Sequence, residues 1–294
     1  MFRFPMSANR GSAVIAAMVA VAGAVALIAI LGGAVLVPGC AVTSTREATS
    51  TALDGILSAE HRAPENRVRD PYRHPKETLL FFGIRPEMQV LEVWPEPGWY
   101  TEIIAPLVRG KGHYFAAVIE PDPNSKYITS RLEAFRQKLQ SRPDLYDQVT
   151  VVTFPSNGVD GVPPGSVDMV LTFRNIHNWM ARDVAPQAFA TMYRALKPGG
   201  VLGVVEHRGN PAVPQDPHAK SGYVNEDYAI KLIEAQGFKL EGESQVNANP
   251  KDTKDYEQGV WTLPPTYRLG DKDREKYAAI GESDRFTLKF VKPR

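Results

Sequence analysis

Three short stretches of the chain hold side chains with chemistry to offer. Val90-Leu91-Glu92-Val93-Trp94 is an apolar run carrying one carboxylate, and it passes directly into Pro95-Glu96-Pro97-Gly98-Trp99-Tyr100-Thr101. Glu120 closes a second apolar run, 28 residues after Glu92. Arg174-Asn175-Ile176-His177-Asn178-Trp179 follows a third. An imidazole takes up and releases protons near neutral pH, so His177 is the candidate general base for an oxygen or nitrogen nucleophile, with Asn178 as its catalytic neighbour. The other reading of His177 is a buried histidine that ties its loop together by hydrogen bonds. None of the six histidines has a zinc-type spacing, and a single cysteine allows neither a cysteine-based zinc site nor an internal disulfide, so no metal is expected.

Something must hold these stretches in place. Val90 to Trp94, Tyr114 to Glu120, Val149 to Phe154, Val167 to Phe173 and Val201 to Glu206 are rich in Val and Leu without strict alternation, as in parallel strands covered on both faces. Helical patterns lie between them: Trp99 to Val108, Ser125 to Gln140, and Ala185 to Leu196 with Phe189, Met192 and Leu196 on one face. Asn225 is placed to cap another helix, with a stripe of Tyr228, Leu232 and Ala235. The alternation predicts an α/β fold, a Rossmann-like doubly wound sheet, mostly parallel with an antiparallel C-terminal strand near Phe286 to Val291. In such sheets ligands bind beyond the carboxyl ends of the strands, which is where the three stretches fall. The Pro- and charge-rich stretch Asn249 to Asp284 is too long for a plain connection and is expected to be an ordered excursion over one end of the sheet or a lid.

Hydrophobic residues make up 43% and charged residues 23% of 294, which excludes a disordered or wholly membrane-embedded chain. A net charge of +1 gives no electrostatic basis for binding nucleic acid. Ser12 to Val37 is uncharged and apolar, Arg3 and Arg10 precede it, and no acidic residue occurs before Glu47. That pattern predicts a membrane segment with the remainder exported to the periplasm or cell surface. Leu36-Val37-Pro38-Gly39-Cys40 resembles a bacterial lipoprotein signal with Cys40 as the lipidated residue; an uncleaved anchor helix is the alternative. The expected organisation is a signal or anchor over 1–39, a flexible tether over 40–60 and a globular domain over 61–294.

The order of these pieces resembles the class I S-adenosylmethionine-dependent methyltransferases. It is most similar to a bacterial group of predicted methyltransferases marked by Tyr72-Arg73-His74-Pro75, by Trp94-Pro95 with Gly98-Trp99-Tyr100-Thr101, and by Arg174-Asn175-Ile176-His177-Asn178-Trp179. Leu196-Lys197-Pro198-Gly199-Gly200 is shared with the wider family, and the resemblance runs from about Arg62 to Pro293. It implies S-adenosylmethionine as cofactor, with Glu92, Trp94 and Gly98 at the first loop, Glu120 on the ribose hydroxyls and Asn157 at the adenine. Of the family's glycine-rich loop only Gly98 remains. Pro95 and Pro97 donate no N–H and Glu96 repels an anion, so a dinucleotide pyrophosphate fits poorly, whereas a sulfonium and an ammonium suit Glu92 and Glu96. The other readings are a loop that simply packs across the cleft, an exposed strand-end acid and an ordinary turn asparagine.

The resemblance implies methyl transfer to a small or lipidic acceptor, and the N-terminal run makes the expected protein membrane-tethered. Export away from a cytoplasmic cofactor, together with the altered loop, sets a second reading: a non-catalytic exported protein that binds a small ligand in the same cleft. A hydrolase using His177 or His207 has no Gly-x-Ser-x-Gly elbow to support it. His74, in an Arg-His-Pro-Lys-Glu context, reads as a helix start.

Overall fold

The computed structural model describes residues 38–154, 159 and 161–294, with side chains from residue 45 onward. The apolar segment 12–37 and Asn157 lie outside the described residues, and so does the side chain of Cys40. Seven strands form one sheet: β1 (Gln89–Val93), β2 (His113–Ile119), β3 (Val149–Phe154), β4 (Val167–Phe173), β5 (Leu196–His207), β6 (Lys239–Ser244) and β7 (Arg285–Val291). Their order is β3-β2-β1-β4-β5-β7-β6; the first five are mutually parallel, and β7 runs antiparallel between β5 and β6. This is the class I methyltransferase arrangement.

The helices are α1 (Pro38–Ser58), α2 (Pro64–Arg67), α3 (Asp70–Arg73), α4 (Pro75–Phe82), α5 (Thr101–Val108), α6 (Lys126–Ser141), α7 (Pro143–Tyr146), α8 (Ile176–Met180), α9 (Ala185–Ala195), α10 (Glu226–Glu234) and α11 (Arg274–Ile280). Side chains alternate across the pleat. Val90, Met169 and Leu171 therefore join a core with Leu53 of α1, Leu79 and Phe82 of α4 and Ile103 of α5, whereas Leu91, Val93 and Val170 join one with Trp179, Phe189 and Ile233 of α8 to α10. Gly203 of β5 is required by this packing, since a Cβ there would lie 2.7 Å from both Leu171 Cδ2 and Phe82 Cδ2.

Three expectations need correction. The stretch read as a flexible tether is helical in α1, which packs on α4 and α5, buries Thr49 and Leu53, and is fastened by Arg46 to the Leu80 carbonyl at 3.1 Å and by Asp54 to Lys76 at 2.6 Å. Composition misled there because the helix is stabilised by the surface it covers, not by its own propensity. Asn225 does occupy the start of α10, but its Nδ2 donates to the Val213 carbonyl at 2.8 Å and makes no cap. The buried positions of α10 are Ala229 and Ile233, one turn apart, instead of the stripe through Ala235. Among the described residues no helix is long and apolar enough to cross a membrane.

The excursion between β6 and β7 is ordered. It contains a 3-10 turn over Gly259–Thr262 and α11, and its Val260, Trp261, Pro264 and Pro265 reach the cavity described next.

Candidate functional site

The strand order reverses between β1 and β4, and both strands end in a residue of left-handed conformation. Trp94 has φ 53° and Arg174 has φ 62°, values disfavoured for a side chain with a Cβ. The Trp94 N–H still completes the ladder to the Ala117 carbonyl at 2.8 Å, and the Arg174 N–H completes it to the Val205 carbonyl at 2.7 Å, before each chain turns away. Such conformations persist where surrounding contacts enforce them and gather at functional sites. Asn175 locks the two strand ends together, its Nδ2 donating to the Val93 carbonyl at 2.9 Å and to Thr172 Oγ1 at 3.1 Å.

Beyond these strand ends lies a cavity of about 300 Å³, within the size range of ligand sites. It gathers Glu92, Trp94, His177 and Asn178, four of the residues expected at the site, under a roof from the β6 to β7 excursion. Gly98 is not part of its wall. At φ 95° it turns the chain into α5, and a Cβ would lie 2.7 Å from Lys138 Cδ, so its bareness serves packing against α6. Glu120 follows β2 as an exposed residue outside the cavity wall.

Glu92 is buried, and its Oε2 accepts the Tyr114 hydroxyl at 2.6 Å, with Thr101 Oγ1 2.9 Å from the same hydroxyl. Burial pushes the Glu92 carboxyl up to about 8, so it is largely neutral at pH 7 until a cation reaches it. Glu96 is also raised by burial, and it accepts the Ile119 N–H at 2.8 Å. Trp94 packs edge-on against Trp179 at 5.6 Å, and its indole Nε1 is buried with no partner among the described residues. Tyr100 stacks on Phe173 at 3.6 Å and gives the floor an aromatic surface.

His177 begins near the start of α8 and is almost wholly buried. Its Nδ1 lies 3.1 Å from Glu206 Oε1, and Glu206 Oε2 accepts the His177 backbone N–H at 3.3 Å. A carboxylate at Nδ1 keeps the proton on that nitrogen and turns Nε2 into the accepting atom. Glu206 was not singled out from sequence because it ends a strand 29 residues away. His207 sits beside the pair, ring centres 5.4 Å apart, its Nδ1 2.5 Å from Ser283 Oγ. Burial, then the neighbouring His177 and Arg285, pull His207 well below the ordinary histidine range and keep it neutral. His177, Glu206 and His207 offer metal-ligating atoms within 4.8 Å of one another, but both Glu206 oxygens already accept N–H groups, Oε1 also from His207 N at 2.8 Å. The sequence reading also missed Arg73 and Arg285, which reach the cavity from α3 and β7. His74 joins α3 to α4 at φ 39°, the structural position expected of it.

Residues 97–204 match the family model described as methyltransferase domain. No curated protein sequence matches the chain. Among solved structures, an S-adenosylmethionine-dependent methyltransferase from Aquifex aeolicus is 16% identical, with a TM-score of 0.53 covering 79% of this chain and 94% of that one. The cyclase SpnF is 15% identical, with a TM-score of 0.54 covering 86% of this chain and 96% of that one. At such identities the likeness is one of fold, and a cyclase among the neighbours shows that this fold carries more than one chemistry. With the match of residues 97–204 to a methyltransferase domain and the seven-strand order around them, the chain has the class I S-adenosylmethionine-dependent methyltransferase fold.

Proposed function

We propose that the protein catalyses S-adenosylmethionine-dependent methyl transfer to a small or lipidic acceptor. The observation that carries the reading is the cavity at the β1/β4 switch point, which joins an acidic, aromatic end to the His177–Glu206 pair. The residues present fit an amino-acid nucleoside: Glu92 offers a buried carboxyl to an ammonium, and the unpartnered Trp94 indole N–H offers a hydrogen bond. When bound, S-adenosylmethionine supplies an electrophilic methyl group. Glu206 fixes the His177 ring, His177 Nε2 takes the proton of the acceptor, and Trp261 with Tyr100 and Phe173 keeps water from the reacting atoms. Positioning contributes most of the acceleration, with proton transfer adding to it.

The uncharged run 12–37 and the Cys40 context support tethering at a membrane, with the domain on the exported face. Mass spectrometry of the protein from membranes tests the tether: a lipidated N-terminus at Cys40 supports processing, and an intact N-terminal peptide favours an anchor helix. Calorimetric titration with S-adenosylmethionine and S-adenosylhomocysteine tests the activity. Binding of both is expected, and absence of either leaves a binding protein for another small ligand.

A further inference from the structure

The charge on the cavity wall is divided. Glu92 and Glu96 lie at the β1 and β2 end, where Arg131 donates to the Glu96 carbonyl, whereas Arg69 and Arg73 from the α3 region and Arg285 from β7 gather about Glu282, with Arg174 at the end of β4. Glu282 is the carboxylate these arginines share: its oxygens lie 2.5 Å from Arg69 Nε and 3.4 Å from Arg73 Nε, and it also pairs with Arg285. Arg174 has no ion pair or side-chain hydrogen bond among the described residues. Arg73 and Arg285 are 4% and 3% exposed, yet Arg73 Nη2 and Arg285 Nε are buried without partners.

Four guanidinium groups thus face one committed carboxylate. Glu206 and Glu92 are also within electrostatic reach of Arg174, and the Glu206 oxygens are taken by His177 and His207. Glu92 is largely protonated at neutral pH and adds little negative charge. Burial first, then the neighbouring Arg285 and Arg69, bring Arg174 down to about 10. Buried charge in excess is costly unless an anion answers it, and the guanidinium fork matches carboxylate and phosphate oxygens in pairs.

We propose that Arg174, with Arg73 and Arg285, binds an oxyanion, a carboxylate or phosphate, belonging to the methyl acceptor. The assignment to the acceptor rests on the methyl-transfer reading above. It follows from the arrangement of the wall: the carboxyls of Glu92 and Glu96 suit the ammonium and sulfonium of the cofactor, while Arg174 at the end of β4 and Arg285 at the start of β7, joined by Arg73 from α3, stand across the switch point around Glu282. Arg174 sits three residues before His177, so an acceptor held by its anion presents its nucleophile to the same loop. The cofactor carries a carboxylate of its own, which is the competing source of the same chemistry.

The experiment titrates inorganic phosphate and acetate into the full-length chain, free and saturated with S-adenosylhomocysteine, reading tryptophan fluorescence and melting temperature. Wild type, Arg174→Gln and Arg174→Lys are compared. Phosphate is expected to bind the free and the saturated protein alike, at least about tenfold more weakly in Arg174→Gln and with partial retention in Arg174→Lys, a tenfold loss being typical for one charge-assisted pair. S-adenosylhomocysteine affinity should change by less than about threefold. No phosphate binding by wild type, or binding indifferent to Arg174→Gln, overturns the site. Mutual exclusion of phosphate and S-adenosylhomocysteine, with Arg174→Gln weakening the latter, assigns the arginines to the cofactor carboxylate and overturns the acceptor assignment. If S-adenosylhomocysteine fails to bind wild type while Arg174-dependent phosphate binding persists, the methyl-transfer reading falls, the acceptor assignment falls with it, and the oxyanion site stands.

Discussion

Glu206 Oε1 lies 3.1 Å from His177 Nδ1, and the pair joins the end of β5 to the first turn of α8. Because the carboxylate claims Nδ1–H, the geometry leaves Nε2 as the basic atom at the cavity. His177→Ala is expected to lower turnover about 10²- to 10⁴-fold while leaving S-adenosylhomocysteine affinity near wild type, with some loss of melting temperature because buried Glu206 loses a partner. Measuring all three on one variant separates the roles: a loss of about 1–3 kcal/mol of stability with turnover unchanged would mark His177 as a structural tie.

Glu92 makes a second prediction through pH. Its folded value, about 8, lies above the ordinary 4.5. Below 4.5 both folded and unfolded chains are protonated, and as pH rises toward 8 the unfolded chain sheds a proton that the folded chain keeps. Its contribution to stability is therefore full below the unfolded value and is lost as pH rises through the folded one. Glu92→Gln should flatten the fall in melting temperature between about pH 5 and about pH 8.5. The same ionisation favours a cationic ligand, so S-adenosylmethionine should bind wild type more tightly as pH approaches 8, with a proton released. A pH-independent affinity in the wild type would remove Glu92 from the cofactor site.

Glu282 gives a prediction of opposite sign. Burial alone would raise it, but Arg285, Arg73 and the hydrogen bond from Arg69 hold it far below the usual carboxylate range. Its stabilisation is present above the ordinary 4.5 and disappears only as pH falls toward the much lower folded value. Glu282→Gln leaves the arginines uncompensated and should cost about 3–5 kcal/mol in urea unfolding near pH 7. Added phosphate should recover part of that loss; a variant as stable as wild type would show that the arginines do not depend on this carboxylate.

Gly98 separates two uses of a glycine. With φ at 95° and a Cβ position 2.7 Å from Lys138 Cδ, Gly98→Ala should destabilise the domain by about 1–3 kcal/mol. Cofactor affinity measured well below the melting temperature should be little altered. Weaker binding at unchanged stability would put Gly98 in contact with the cofactor instead.

The five parallel strands were legible to within a residue or two over most of their length because strands buried on both faces are written as unbroken apolar runs. β5 extends further, back through Lys197-Pro198-Gly199-Gly200, which reads locally as a turn. β6, Lys-Leu-Glu-Gly-Glu-Ser, escaped because an edge strand half open to water needs few apolar residues. Of the site, the strand-end residues Glu92, Trp94, His177 and Asn178 could be read, since the fold class alone says where strand ends meet. The grouping of Arg69, Arg73 and Arg285 about Glu282 could not. Arg69 and Glu282 stand 213 positions apart, and no local spacing announces a contact of that kind.

That separation also sets an order of assembly. The central segment 97–204, which contains β2 to β4, most of β5 and Arg174, holds many of the sequence-near contacts of the sheet, yet Arg69 and Arg73 lie before it and Glu282 and Arg285 after it. Contacts so distant in sequence carry the largest loop-closure entropy and form late. During synthesis the central sheet has most of its strands long before Glu282 and Arg285 leave the ribosome. The grouping of the arginines about Glu282 is therefore among the last parts of the molecule to exist, and a chain cut short before Glu282 would keep Arg69, Arg73 and Arg174 while lacking the carboxylate and Arg285 that complete their wall.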